Sequence, residues 1–237
     1  MKLTRNLALL TTATLLGTMA AHAYGPSASK SFYLGIHGGI SHNTNKFQNT
    51  LNITTPGVEQ NTTLKGSKNT TSGLGEITAG IQYFDHTWMS GLELAANMDG
   101  HSAKKTFNNL NNADLEAKIK KTFGIVPALV AGRTFHGMKT ILIVKLGMSI
   151  NRYKLSAQDI RTGKKESGNK TKLGFAPSIA VEQPFTKNIS GVATLGYEWN
   201  GKVKKTLGSP MTGTSGNNTL RINTNAYVGK LGIQFKF

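Results

Sequence analysis

The sequence contains no cysteine, which excludes disulfides, thiolate metal sites and cysteine nucleophiles. Beyond its first residues it also lacks any apolar run near the roughly 18 residues of a transmembrane helix. The most hydrophobic stretch, Ile141 to Ile150, is broken by Lys145. Acidic residues are scarce: 11 Asp and Glu stand against 28 Lys and Arg, for a formal charge of +17. A chain exported without disulfides needs another source of stability. Closing a sheet on itself is one, because closure leaves no strand edge unpaired.

The start of the chain reads as a targeting segment. Lys2 and Arg5 form a basic region, Leu7 to Leu16 is mostly apolar, and Ala21-His22-Ala23 offers small residues before a cut. The expected division is a signal peptide over 1–23 and one domain over 24–237, beginning near Tyr24. That domain is soluble or crosses a membrane as strands, since only helices and closed barrels satisfy the backbone inside lipid.

Four stretches, 43–73, 99–121, 154–172 and 201–221, are rich in Asn, Thr, Gly, Ser and Lys. Between them lie alternating segments joined by short turns at Asp85-His86-Thr87, Phe135-His136-Gly137-Met138 and Phe185-Thr186-Lys187-Asn188. Long connections alternating with short ones suit an outer-membrane barrel, with the short turns in the periplasm and the long loops outside. Strands are expected at 32–42, 74–84, 88–98, 122–133, 139–153, 172–184, 189–200 and 221–237. Leu142, Val144, Leu146, Met148 and Ile150 share one face of the fifth, opposite Lys145, Gly147, Ser149 and Asn151. In the eighth, Tyr227, Leu231, Ile233, Phe235 and Phe237 oppose Lys230, Gly232, Gln234 and Lys236. Carried through all eight, this phase puts no charge on the apolar face. The other face holds small residues and isolated charges, as the inside of a narrow barrel requires. A soluble sandwich would instead turn a charged face outward.

Aromatic residues gather at the strand ends. Phe32, Tyr83, Phe84, Trp88, Phe135, Phe185 and Phe237 mark the turn side; Tyr153, Tyr197 and Trp199 mark the loop side. Rings of this kind form girdles at the two membrane interfaces. Pro127 and Pro177 fall at similar places within two strands and lack the ladder N–H, which reads as a repeated bulge or kink.

With these features in place, the chain resembles the eight-stranded OmpA-like and opacity-protein family of outer-membrane barrels. The opening Phe32-Tyr33-Leu34-Gly35-Ile36-His37-Gly38-Gly39 is similar to that family's first strand, and Tyr227 to Phe237 to its last. The resemblance implies an all-β, antiparallel up-and-down transmembrane barrel of eight strands with four long extracellular loops, sited in the bacterial outer membrane. It implies that Phe235 and the terminal Phe237 present an assembly signal to the barrel-assembly machinery, with Trp88, Trp199 and Tyr227 in the girdles. No peptidoglycan-binding domain is expected after the last strand.

The inward set includes Glu76, Glu93, Glu182, Glu198, Lys145, Lys230 and His37. Unpaired charge in a narrow lumen is costly, so opposite signs should pair. A cluster is expected in which Glu93 bridges Lys145 and Lys230 near His37. It serves either as a plug or, if partners exchange, as a gate. Bulk porin activity is not expected, because an eight-stranded interior is just wide enough for side chains.

The long loops hold most of the excess positive charge. Lys164, Lys165, Lys170 and Lys172 in the third, with Lys202, Lys204 and Lys205 in the fourth, form a candidate site for anions. Outer-membrane lipid, lipopolysaccharide phosphates and host or envelope anionic polymers are the expected partners; solvated lysines are the alternative. Nucleic acid is not expected outside the cell. Asp85, His86 and Ser90, or Asp99, His101 and Ser102, are close in sequence, but closeness is not triad geometry. No catalytic role, metal or cofactor is expected. The expected function is a surface-antigen, structural or adhesive role, with a narrow ion or solute channel as the alternative. Loop 43–73 is expected to be disordered without a partner.

Overall fold

The computed structural model describes residues 29–55, 58–110, 113–135, 139–160, 163–207 and 216–237. The expected signal peptide lies outside them. The described residues form nine strands: β1 (Ser29–Thr55), β2 (Val58–Asp85), β3 (Trp88–Asp99), β4 (Ser102–Leu110), β5 (Ala113–Thr134), β6 (Ile141–Asp159), β7 (Lys165–Pro184), β8 (Ile189–Leu207) and β9 (Gly216–Lys236). Every pairing is antiparallel. β3 and β4 are two halves of one wall element, because both pair with β5. At the break between them, Gly100 N–H still donates to Gly73 O (3.1 Å) and Lys121 N–H to His101 O (3.2 Å). The hydrogen-bonded order therefore runs round a ring of eight, closed by β1 against β9 and by β3 against β5. At the turn-side rim Phe32 and Phe237 exchange backbone bonds of 3.2 and 2.9 Å.

The expected phase holds along the membrane-sized part of the wall. Leu34, Ile36, Ile40, Leu146, Leu195 and Leu231 are all at least half exposed. A belt of that extent would not be stable in water; in lipid it is the required surface. Three charges within the expected strands break the expected neutral face, Arg152 and Arg221 above the belt and Arg133 below it. Arg133 points outward at the turn-side rim, its guanidinium 5.3 Å from the Trp88 ring centre, where a cation reaches headgroups.

The four long connections differ most from expectation. Their arms are strand, not loop. The β1–β2 ladder runs unbroken from Ser29 opposite Phe84 to Thr55 opposite Val58, so the described part of the stretch 43–73, expected to be disordered, is paired strand. The reason is visible across each strand. On β6 the outward residues change from Leu146, Met148 and Ile150 to Arg152 and Lys154. The inward residues change from Lys145, Ser149 and Asn151 to Tyr153, Leu155 and Ala157. Above the belt the described strands part into two sheets, β2-β1-β9-β8 and β4-β5-β6-β7, with no ladder between β7 and β8 past Phe175 and Trp199. This water-facing extension holds an ordinary apolar core. Phe47, Phe107, Ile119, Tyr153, Leu155 and Ile222 meet inside it, each 4% exposed or less. Burial of this kind contributes about 1.5–3 kcal/mol per large side chain, enough to hold polar hairpins in register.

Three further expectations change. Tyr153 is fully buried and faces the core, not the girdle. Phe84 turns inward and packs against a turn-side cluster of Met89, Val130, Ile141, Ile143, Ala180 and Val192. Neither proline makes a bulge. Register is kept across Pro127 (Ile125 opposite Ile150, Ala128 opposite Gly147) and across Pro177 (Phe175 opposite Trp199, Ser178 opposite Gly196). Each ladder simply skips the proline and its neighbour on one side. The register shifts fall at Lys121/Phe123, Trp199/Lys202 and Phe107/Leu110.

Candidate functional site

Two features carry chemistry: a charged lumen and a basic outer wall on the extension. Every lumen residue comes from the inward phase of its strand, and glycines make space among them. A Cβ at Gly80 would collide with the Tyr33 ring, and one at Gly232 with the His37 ring.

The lumen is layered along the strands. At the turn side the apolar cluster around Met89 closes it, with Lys236 paired to Glu182. Next, Lys145 Nζ donates to both oxygens of Glu93 (2.8 and 2.6 Å), and Tyr33 OH donates to Glu93 Oε2 (2.8 Å). Lys230 Nζ donates to Glu76 Oε1 at 2.5 Å, with His37 Nδ1 3.9 Å from the same oxygen. Glu93 thus takes Lys145 alone, and Lys230 goes to Glu76; the expected bridge is two separate pairs. Above them Lys121 Nζ donates to Glu198 Oε2 (3.1 Å). The sequence pattern puts Lys121 in a loop, and only the extended strand brings it inside. The free space between Glu76, Glu93, Lys145, Glu198 and Lys230 is about 40 Å³, room for a few waters.

Higher still, His101 is fully buried at the break between β3 and β4. Its Nδ1 lies 2.9 Å from Thr70 Oγ1 and its Nε2 3.2 Å from Asn45 Oδ1. Asp99 Oδ1 accepts from Ser72 Oγ (2.5 Å) and from the His101 backbone N–H (2.8 Å). Burial pushes the imidazole pKa below its ordinary value; Asp99 opposes that and Lys121 adds to it. Ser102 is exposed on the outer face, away from this network. At the turn side, Asp85 Oδ1 holds His86 Nδ1 at 2.7 Å. His86 has a positive φ of 54°, a conformation tight turns require.

The seven lysines expected to form one anion site separate. Lys164 and Lys165 sit at the β6–β7 turn. Lys170 and Lys172 lie opposite Tyr153 and Asn151, on the inward phase near the rim. Lys205 also takes the inward phase and runs toward Gly168 of β7. Lys165 faces outward opposite Gln158, far from Lys202 and Lys204, which also face outward and which the register joins to residues distant in sequence. One row across β2, β1, β9 and β8 reads Ser67, Lys46, Asn223, Lys202; the next reads Lys65, Gln48, Arg221, Lys204. Strands about 4.8 Å apart and rows about 7 Å apart make this a compact grid. Five of its eight positions are cationic and none is acidic. Among the described residues none of the five has a carboxylate partner. A cleft of about 430 Å³ opens between Lys46, Lys65, Lys202 and Arg221. Sequence reasoning misses Lys46 and Lys65 because only cross-strand register makes them neighbours.

Closed wall, apolar belt and ionic lumen define the class: an eight-stranded β-barrel of outer-membrane architecture. No protein-family model and no curated protein matches the sequence. Solved structures do match. The outer membrane protein OprG from Pseudomonas aeruginosa aligns with a TM-score of 0.53 and 15% identity, over 86% of this chain and 95% of that one. Neisserial surface protein A aligns with a TM-score of 0.41 and 13% identity, over 84% and 97%. Ail of Yersinia pestis, solved with the heparin analogue sucrose octasulfate, gives 0.34 and 14%, over 84% and 99%. At such identity the likeness to OprG establishes the fold.

Proposed function

We propose that this chain is a surface protein of the bacterial outer membrane, in the manner of the OmpA-like and opacity barrels, with a structural or adhesive role. The barrel anchors in lipid, and the folded extension displays a cationic wall to anionic groups outside. The observation that carries this reading is the exchange of faces along single strands. On β6, Ile150 faces outward and Tyr153 inward, with Arg152 and Lys154 outward beyond them. Such an exchange serves a wall that leaves lipid and enters water. The absence of cysteine makes the test clean. A Lys204→Cys variant in intact cells should react with a membrane-impermeant maleimide, and Thr186→Cys should not. Labelling of the turn-side position instead would overturn the reading.

The channel reading has less support. The lumen is apolar at the turn side, paired in the middle and filled by the extension core above. Planar-bilayer recording should give no steady conductance. A catalytic role has no support from the His101 network, where Ser72 contacts the carboxylate and not the imidazole.

A further inference from the structure

We infer that the outer wall of β8, β9, β1 and β2 docks a phosphate-bearing glycolipid of the outer leaflet, namely lipopolysaccharide. This rests on the surface reading above. Beneath the cationic grid, on β1, β9 and β8 and reaching Ile179 of β7, lies an apolar groove of about 670 Å³ lined by Gly38, Ile40, Leu195, Gly229 and Leu231. Register stacks the two features in line. Ile40, Gly229 and Leu195 stand side by side; next come His42, Tyr227 and Tyr197, then Thr44, Asn225 and Trp199, then Lys46, Asn223 and Lys202. The Tyr197 and Tyr227 rings pack 5.0 Å apart between groove and grid. Lys46 is one strand repeat, about 7 Å, beyond the Trp199 row, so the cations begin where an interfacial aromatic belt ends.

This stacking selects the occupant. A soluble polyanion would meet the grid and leave the groove unused. A lipid with one phosphodiester would fill the groove and neutralise one cation of five. A lipid whose sugar head carries several phosphates matches both: acyl chains in the groove, phosphates on Lys46, Lys65, Lys202, Lys204 and Arg221. Lysine and arginine hold phosphate by charge-assisted hydrogen bonds. The gaps left by Gly38 and Gly229 admit an acyl chain against the wall.

The test uses the full chain folded in detergent and titrated with three probes: purified lipopolysaccharide, the same material with its phosphates removed, and soluble heparin. Closure of each variant is checked by heat-modifiable migration on gels. The grid variant Lys46→Gln/Lys202→Gln/Arg221→Gln should weaken lipopolysaccharide binding by about a hundredfold, at about 1 kcal/mol per charge. The control Lys118→Gln/Lys120→Gln/Lys154→Gln, on the β5–β6 face, should change it little. Gly38→Leu/Gly229→Leu fills the groove, since a Cβ at Gly38 meets nothing within 4 Å and one at Gly229 meets only Leu195 at 3.7 Å. It should weaken lipopolysaccharide binding several-fold and leave heparin binding unchanged. Equal losses in the grid and control variants would overturn the proposal in favour of diffuse charge. Undiminished binding of the dephosphorylated probe would overturn it, as would heparin binding as tight as lipopolysaccharide. If Lys204→Cys labels from outside while these outcomes go against it, the docking face alone fails; if it does not label, the surface reading fails first.

Discussion

The belt and the extension are built from the same strands and obey opposite rules. In the belt, Leu146 faces out, 52% exposed, and Lys145 faces in, 8% exposed. In the extension, Lys154 faces out and Leu155 is fully buried. Antiparallel pairing and period-two alternation continue across the boundary, with register shifts at Lys121/Phe123 and Trp199/Lys202 resetting which residues face out on β5 and β8; on β1, β6 and β9 what changes is the medium outside. Within lipid the wall has little need to hide aliphatic groups inside, so the middle of the lumen holds ion pairs, and buried aliphatic groups gather only at its turn-side end around Met89. In water the same wall must bury its aliphatic groups, and Phe47, Leu155 and Ile222 fill the lumen.

The largest effect that would sharpen this contrast concerns the lumen pair. Lys145→Met leaves Glu93 with Tyr33 alone and a buried carboxylate without its cation. That should cost about 3–5 kcal/mol, while Lys145→Met/Glu93→Met should be close to neutral. Urea unfolding in vesicles measures both. A single variant as stable as the wild type would mean that the pair is not sheltered from water.

Next comes charge on the outer face. Leu146→Arg in the belt should cost about 2–4 kcal/mol in a bilayer. Ser156→Arg, ten residues on along the same face of the same strand, should stay within about 0.5 kcal/mol. The same unfolding assay compares them. Equal costs would break the distinction between the two regions.

A conservative deletion gives a smaller contrast with the opposite sign of location. Ile222→Val removes one methylene from the extension core and should cost about 1 kcal/mol. Ile36→Val, 65% exposed on the belt, should cost almost nothing, since lipid fills the space. Thermal melting monitored by gel migration resolves the two.

Much of the belt is legible in the sequence because period-two alternation is a local signal. Leu142 to Ile150 against Lys145 to Asn151 needs no partner strand to be read. The extension is not legible for the same reason. Its strands alternate polar-out and apolar-in, but the apolar residues are sparse: Phe47 stands alone among Asn43, Asn45 and Asn49. Composition there says loop, and only the meeting of residues from β1, β4, β5, β6, β8 and β9 reveals the core. Tyr153 is misplaced by its position, because an aromatic near a strand end suggests a girdle, whereas its odd number puts it on the inward phase with Asn151. The ion-pair partners depend on strand stagger, which no local pattern encodes, so Lys230 is expected at Glu93 and belongs to Glu76. Lys46 and Arg221 become neighbours of Lys202 through the same long-range register. The prolines mislead because a missing donor reads as a missing register step.

The smallest effect expected, and the one confined to the extension, comes from His101. The imidazole is buried among Thr70, Asn45 and Asp99, and burial lowers its pKa below the ordinary 6.5. In the unfolded chain the group takes up its proton as the pH falls through about 6.5; in the folded chain it does so only at lower pH. The unfolded state therefore binds more protons across that window, and stability falls with acidification. Above it both states hold a neutral ring, and the contribution vanishes. Protection of backbone amides in β4 and in the Leu115–Lys121 stretch of β5 should decline between about pH 7.5 and about pH 5.5. Amides of the belt near Leu146 should keep theirs, once intrinsic exchange rates are divided out. A His101→Gln variant should abolish the decline while keeping hydrogen-bond capacity toward Thr70 or Asn45. If belt and extension loosen together on acidification, they unfold as one unit, and the boundary between them is one of surface chemistry alone.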